Sequence, residues 1–147
     1  MSIGDSFIDL YKKNNWYNNN KTYDLCINYY QDNSDSINFL HNKSDYFFNY
    51  KGFYLHNFYN ILKCNHFWKK YDFIMKTDDD LEVNYDNVNK LFKIISKNIS
   101  LSQPRITGYS NWKYFSKEFN NLINDAVFIE IQTPVFRIDI LHKVYNI

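Results

Sequence analysis

The chain has 147 residues, 45% hydrophobic and 20% aromatic, too apolar for a disordered or purely solvating protein and long enough to bury one sizeable core. Lys and Arg number 17 against 16 Asp and Glu, so the net charge of +1 supplies no field to draw in nucleic acid or an anionic membrane. Nothing approaches the ~20 apolar residues of a membrane span, and the start, Met1-Ser2-Ile3-Gly4-Asp5, lacks the basic and apolar regions of a signal peptide; a soluble, cytoplasmic protein is expected.

The predicted elements begin after a polar break at Asn18–Lys21. Tyr23–Tyr30 carries apolar Leu25 and Ile27 among β-prone residues and reads as a strand. Gln31–Lys43 reads as a polar loop. Leu55, Phe58, Tyr59 and Leu62 recur at i, i+3, i+4 and i+7, the stripe of a helix with one buried face, and Gly52 precedes it. Tyr71–Lys76 holds the continuous apolar run Phe73-Ile74-Met75, as expected of an internal strand covered on both faces. Val88, Leu91, Phe92 and Ile95 repeat the helical stripe, with Asp86 suited to its N-terminus. Ala126–Ile131 reads as the last strand, ended by Pro134, and Arg137–Tyr145 as a final helix.

Strand and helix thus alternate, which predicts an α/β fold with a mostly parallel sheet and flanking helices. Only three glycines and two prolines occur, with no linker and no solenoid repeat, so residues 1–147 are read as a single domain. Cys26 and Cys64 sit in apolar stretches without C-x-x-C spacing and read as buried thiols of a reducing compartment; Cys64 and His66 are too few ligands for a metal site. The N-x-[ST] matches at Asn20, Asn42 and Asn98 are what chance gives in a chain so rich in Asn.

The acidic cluster Asp78-Asp79-Asp80, directly after the apolar strand, is the most informative feature, because ligands of open α/β sheets collect at the carboxyl ends of strands. Two like charges about 4 Å apart repel by about 4 kcal/mol at an effective dielectric of 20, which a cation would relieve. Hard divalent ions such as Mn²⁺ or Mg²⁺ use one or two carboxylates and complete their shell with water and phosphate oxygens, so the outer pair, Asp78 and Asp80, suffices. The competing reading is a solvated acidic turn. The spacing does not fit an EF-hand loop, and Leu81-Glu82-Val83 does not fit an Asp-nucleophile phosphatase.

The segment Tyr71-Asp72-Phe73-Ile74-Met75-Lys76-Thr77-Asp78-Asp79-Asp80-Leu81 resembles the Y-D-[YF]-I…D-[DE]-D-L segment of a glycosyltransferase-like domain-of-unknown-function family. Ser102-Gln103-Pro104 is similar to its S-Q-P turn, and Phe128-Ile129-Glu130-Ile131-Gln132-Thr133-Pro134-Val135-Phe136 to its [FW]-V-E-[IM]-x-x-P-V-F signature. Gly4-Asp5-Ser6, Trp16, Asp24–Tyr30 and Lys51-Gly52 extend the similarity, in the same order, over most of the chain.

The resemblance implies a glycosyltransferase-A-like nucleotide-sugar fold. It makes Asp78 and Asp80 the metal carboxylates, and Asp5, Lys51, Asp79 and Gln103 contacts to a nucleotide-diphosphate sugar donor. Glu130 or Asp125 would then position or deprotonate the hydroxyl of an unknown acceptor. Each has a plainer alternative: a loop charge in water for Asp5 and Lys51, a brace for the Pro104 turn for Gln103, a strand salt bridge for Glu130. The family's later G-W-G-L-D segment has no counterpart before Ile147, so the domain is expected to be shortened. Three functions follow: an active transferase, an inactive nucleotide- or sugar-binding remnant, and an interaction protein using tyrosines such as Tyr46, Tyr50 and Tyr54.

Overall fold

The computed structural model describes residues 1–95, 99–104 and 133–146, and within them the chain is mixed α/β. Strands β1 (Ser2–Ile3), β2 (Cys26–Tyr29) and β3 (Tyr46–Phe48) form a parallel sheet in the order β1-β2-β3. Ser2 and Ile3 lie opposite Asn28 and Tyr29, and Cys26 to Asn28 opposite Tyr46 to Phe48. A second sheet, antiparallel, contains β4 (Phe73–Met75), β5 (Leu101–Ser102) and β6 (Val135–Arg137) in the order β4-β6-β5. Parallel pairing is therefore confined, among the described residues, to the first sheet. The apolar run of β4 gave no information on strand direction, and among the described residues β4 pairs with β6 alone, its own residues half-buried.

Helix α1 (Ile8–Asn14) turns Ile8, Tyr11 and Asn14 inward at threefold spacing and stops at Asn15, whose left-handed φ of 51° suits an asparagine C-cap. Helix α2 (Ser34–Asn42) occupies the segment read as a polar loop. Asn33 caps it by accepting from the Asp35 and Ser36 amides at 3.0 and 3.1 Å, and the fully buried Leu40 anchors it. With so few apolar residues the helix depends on this cap and on packing, which periodicity does not reveal.

Helix α3 (Tyr54–Cys64) follows Gly52, whose φ of 108° only glycine adopts at no cost. Its buried face is Asn57, Ile61 and Leu62, rotated from the expected stripe, of which Leu62 alone is buried. Cys64 is exposed and Cys26 half-buried, which corrects the expectation of two buried thiols. Helix α4 (Tyr85–Ile94) is capped by the Asn84 side chain on the Asn87 amide at 3.0 Å, with Asp86 in its first turn. Helix α5 (Ile138–Tyr145) is the final helix expected from the sequence.

One buried cluster gathers Ile3, Ile8, Tyr11, Trp16, Leu25, Ile27, Tyr29, Leu40 and Val88 around the parallel sheet. A smaller one joins Leu62, Trp68 and Leu141 under the second sheet, where the Trp68 indole also donates to the Leu62 carbonyl at 2.7 Å. Each such side chain contributes about 1.5–3 kcal/mol on burial, which fixes the strand ends that frame the acidic cluster. No described helix is long and apolar enough to cross a membrane.

Candidate functional site

Beyond β4 the chain passes through Lys76 and Thr77, both buried, and turns at Asp79-Asp80. Two contacts bring the cluster to the carboxyl ends of the parallel strands. The Gly4 amide, just past β1, donates to Asp79 Oδ2 at 3.0 Å, and the Tyr30 hydroxyl, just past β2, reaches the same oxygen at 3.4 Å. The segment that follows is pinned to α1 and its exit: Asn14 Nδ2 donates to the Leu81 carbonyl at 2.8 Å, and the Trp16 indole donates to the Val83 carbonyl.

The three carboxylates are thereby differentiated. Asp79 turns inward, and burial pushes its carboxyl above the usual carboxylate range even though the Gly4 amide favours the anion. Asp78 is half-buried and forms an ion pair with Lys76, two positions earlier in the chain. The Lys76 side chain is 7% exposed and its Nζ lies 4.3 Å from the centroid of the Tyr54 ring, the first residue of α3. Asp80 is exposed.

Asp5 opens a short 3₁₀ turn directly after Gly4 and accepts from the Ser36 hydroxyl at 2.6 Å and the Tyr29 hydroxyl at 2.7 Å. These two donors hold its carboxyl below the usual range. Its backbone amide donates to the Gln31 side chain. Asp5 is thus chain-adjacent to the Asp79 contact and already supplied with donors. Lys51 is exposed and pairs with Asp32, bridging the loops that leave β3 and β2. Gln103 is half-buried in the turn after β5, in the second sheet. Asp125, Glu130 and the predicted strand Ala126–Ile131 lie outside the described residues, as does Asn98.

The structure therefore joins Asp78, Asp79 and the Gly4-Asp5 corner, and sets Lys51 into a separate ion pair. Sequence reasoning overlooked the Gly4 amide, Tyr30, Lys76 and Tyr54. Only Lys76 left a usable signal, a cation spaced two residues from Asp78 directly after an apolar strand.

Among the described residues, no three His, Cys, Asp or Glu side chains gather where they would hold a metal ion. With Asp79 turned inward, Asp78 and Asp80 are the carboxylates of the cluster that could still hold an ion, Asp78 being already paired with Lys76. That pair suits a hard divalent ion that takes its remaining ligands from water and phosphate, and not a cage formed wholly by protein. A cavity of about 430 Å³ opens inward of Lys76 and Thr77, between the two sheets, lined by residues such as Ser2, Cys26, Tyr54, Phe73 and Met75. It is mainly apolar, and Asp78, Asp79 and Asp80 are not among its described lining residues. The acidic turn faces outward, where a charged ligand keeps much of its hydration. No protein-family model, no curated protein and no solved structure matches this chain.

Proposed function

We propose that the chain binds a nucleotide-diphosphate sugar through Asp78 and Asp80 with Mn²⁺ or Mg²⁺, in the manner of a glycosyltransferase-A-like domain, and transfers the sugar to an acceptor hydroxyl. The supporting observation is the fixing of Asp79 by Gly4 and Tyr30. The first sheet runs away from β1 through β2 to β3, and the chain then returns with β4, whose exit meets the exits of β1 and β2 at Asp79. The carboxyl ends of strands are the usual place for a ligand in α/β proteins, and the acidic turn is held against two of them. The motif resemblance adds the identity of the ligand.

In this reading Asp79 is a positioning residue. Held by the Gly4 amide, it fixes the turn that carries Asp78 and Asp80. A divalent ion bound there would supply Lewis-acid stabilisation of the departing diphosphate. Asp5, next to Gly4, would be the donor-side residue, Lys51 would join it only by leaving Asp32, Gln103 would meet a sugar hydroxyl, and Asp125 or Glu130 would meet the acceptor hydroxyl, whose proton must be taken as the new bond forms.

The ion pair of Lys76 with Asp78 favours a second reading, nucleotide binding without turnover, because one of the two carboxylates already has a cation. Equilibrium binding of nucleoside diphosphates with and without Mn²⁺, followed by assay of sugar release from the bound donor, separates the two. Metal-dependent binding with release supports transfer, metal-dependent binding without release supports the second reading, and no binding removes both.

A further inference from the structure

We propose that Lys76 is a built-in competitor for the metal: its ammonium holds Asp78 until a divalent cation displaces it, so that Lys76 sets the metal affinity of the site. Lys76 has this role only if Asp78 and Asp80 are the metal pair proposed above.

The geometry follows from the local chain. Lys76 and Asp78, two residues apart, meet in an ion pair, and the Thr77 hydroxyl between them donates to the Asp78 carbonyl at 3.1 Å. Lys76 is 7% exposed and Asp78 29%, so the pair lies in a partly desolvated setting where each charge needs a partner. Its ammonium also lies 4.3 Å from the Tyr54 ring centroid, a favourable contact that keeps the side chain in place. Tyr54 opens α3, and the chain entering that helix is itself fixed, because Asn57 donates to the Tyr50 and Gly52 carbonyls at 3.1 and 3.3 Å.

A divalent ion approaching from the exposed Asp80 therefore meets an Asp78 carboxylate already paired with Lys76. The ion must share that carboxylate with the ammonium and is repelled by it. Phosphate oxygens arriving with the metal offset part of that repulsion. The device thus makes metal alone bind weakly and makes metal and diphosphate bind better together, the signature of coupled sites.

The test is Mn²⁺ binding to the full chain, measured from the paramagnetic resonance of the free ion, for wild type, Lys76→Met, Asp78→Asn and the double variant. Lys76→Met is expected to bind Mn²⁺ about tenfold more tightly than wild type in the absence of nucleotide, a change of ~1.4 kcal/mol. The gain is expected to vanish in the Asp78→Asn background. A wild type too weak to measure beside a binding Lys76→Met chain gives the same support. A folded Lys76→Met chain that binds Mn²⁺ no better than wild type overturns the competitor role and leaves the metal pair standing. If no chain binds Mn²⁺, with or without a nucleoside diphosphate, both the metal pair and the competitor role fail. Should Lys76→Met not fold, Tyr54→Leu carries the comparison. It loosens Lys76 without removing either charge, and a smaller tightening supports the role while no tightening overturns it.

Discussion

Gly4 and Asp79 are 75 residues apart in the chain, yet the amide of the first donates to the carboxylate of the second at 3.0 Å. This bond and the Tyr30 hydroxyl on the same oxygen connect the first sheet to the acidic turn of the second. The position has no room for a side chain: a Cβ on Gly4 would stand 2.3 Å from the Tyr30 hydroxyl oxygen and 2.6 Å from Cζ.

Gly4→Ala is therefore expected to push the Tyr30 ring off Asp79 and to lower stability by about 1–3 kcal/mol, the usual cost of overpacking. Thermal melting by circular dichroism checks it. Adding Tyr30→Ser to Gly4→Ala is expected to recover part of the loss, because the colliding ring is gone; a double variant worse than the sum of the two single changes would contradict the clash.

Asp5 gives a pH dependence with a defined sign. The Ser36 and Tyr29 hydroxyls hold its folded pKa below the unfolded value. The stability it contributes is therefore complete above the ordinary carboxylate pKa and is lost as the pH falls through the lowered value. Asp5→Asn is expected to melt below wild type at neutral pH, with the gap closing as the pH drops below the carboxylate range. A gap that widens on acidification would show the opposite shift.

Asn28 is 1% exposed and uses its amide as a clamp, donating to the Tyr50 carbonyl at 3.1 Å and accepting from the Tyr50 amide at 2.8 Å. Asn28→Ala leaves both Tyr50 groups without this partner, and the expected cost is about 1–3 kcal/mol in chemical unfolding. Asn28→Asp keeps the acceptor but sets a buried carboxylate against the Tyr50 carbonyl, so it is expected to cost at least as much; equal stability of all three chains would remove the clamp.

Trp68, 1% exposed in the smaller core cluster, is expected to cost about 3–5 kcal/mol as Trp68→Ala. Because its cluster includes Leu141 of α5, the same change is expected to expose α5 to proteolysis before α1. Simultaneous cleavage of both would indicate one undivided cooperative unit.

What the sequence disclosed depends on range. The strand through Ile27, the α3, α4 and α5 helices and the β4 run were legible because each is written in local apolar spacing. Helix α2 was hidden because Asn33 stabilises it by capping, and Ile37 and Leu40 are a thin stripe among polar neighbours. The antiparallel direction of β6 against β4 has no local signature, since a strand's residues read alike in either direction. In the candidate site, Asp78-Asp79-Asp80 was visible as a cluster of one chemistry, whereas their division of labour was not. Asp79 turns inward for a glycine amide and a tyrosine hydroxyl from distant strand ends, and Asp78 faces a lysine buried by the packing of Tyr54. Lys51 shows the converse: it stands out in the sequence, and the fold gives it to Asp32.

The most direct test of the central claim is thermal melting of the full chain with Mn²⁺ and a panel of nucleoside diphosphates, in wild type and Asp80→Asn. A ligand at 100 times its dissociation constant adds ~2.7 kcal/mol, which for a chain of this size raises the midpoint by roughly 5–10 °C. The account predicts such a rise for at least one nucleotide, only with Mn²⁺ present and only in wild type. The absence of any rise, or a rise that Asp80→Asn retains in full, would contradict it.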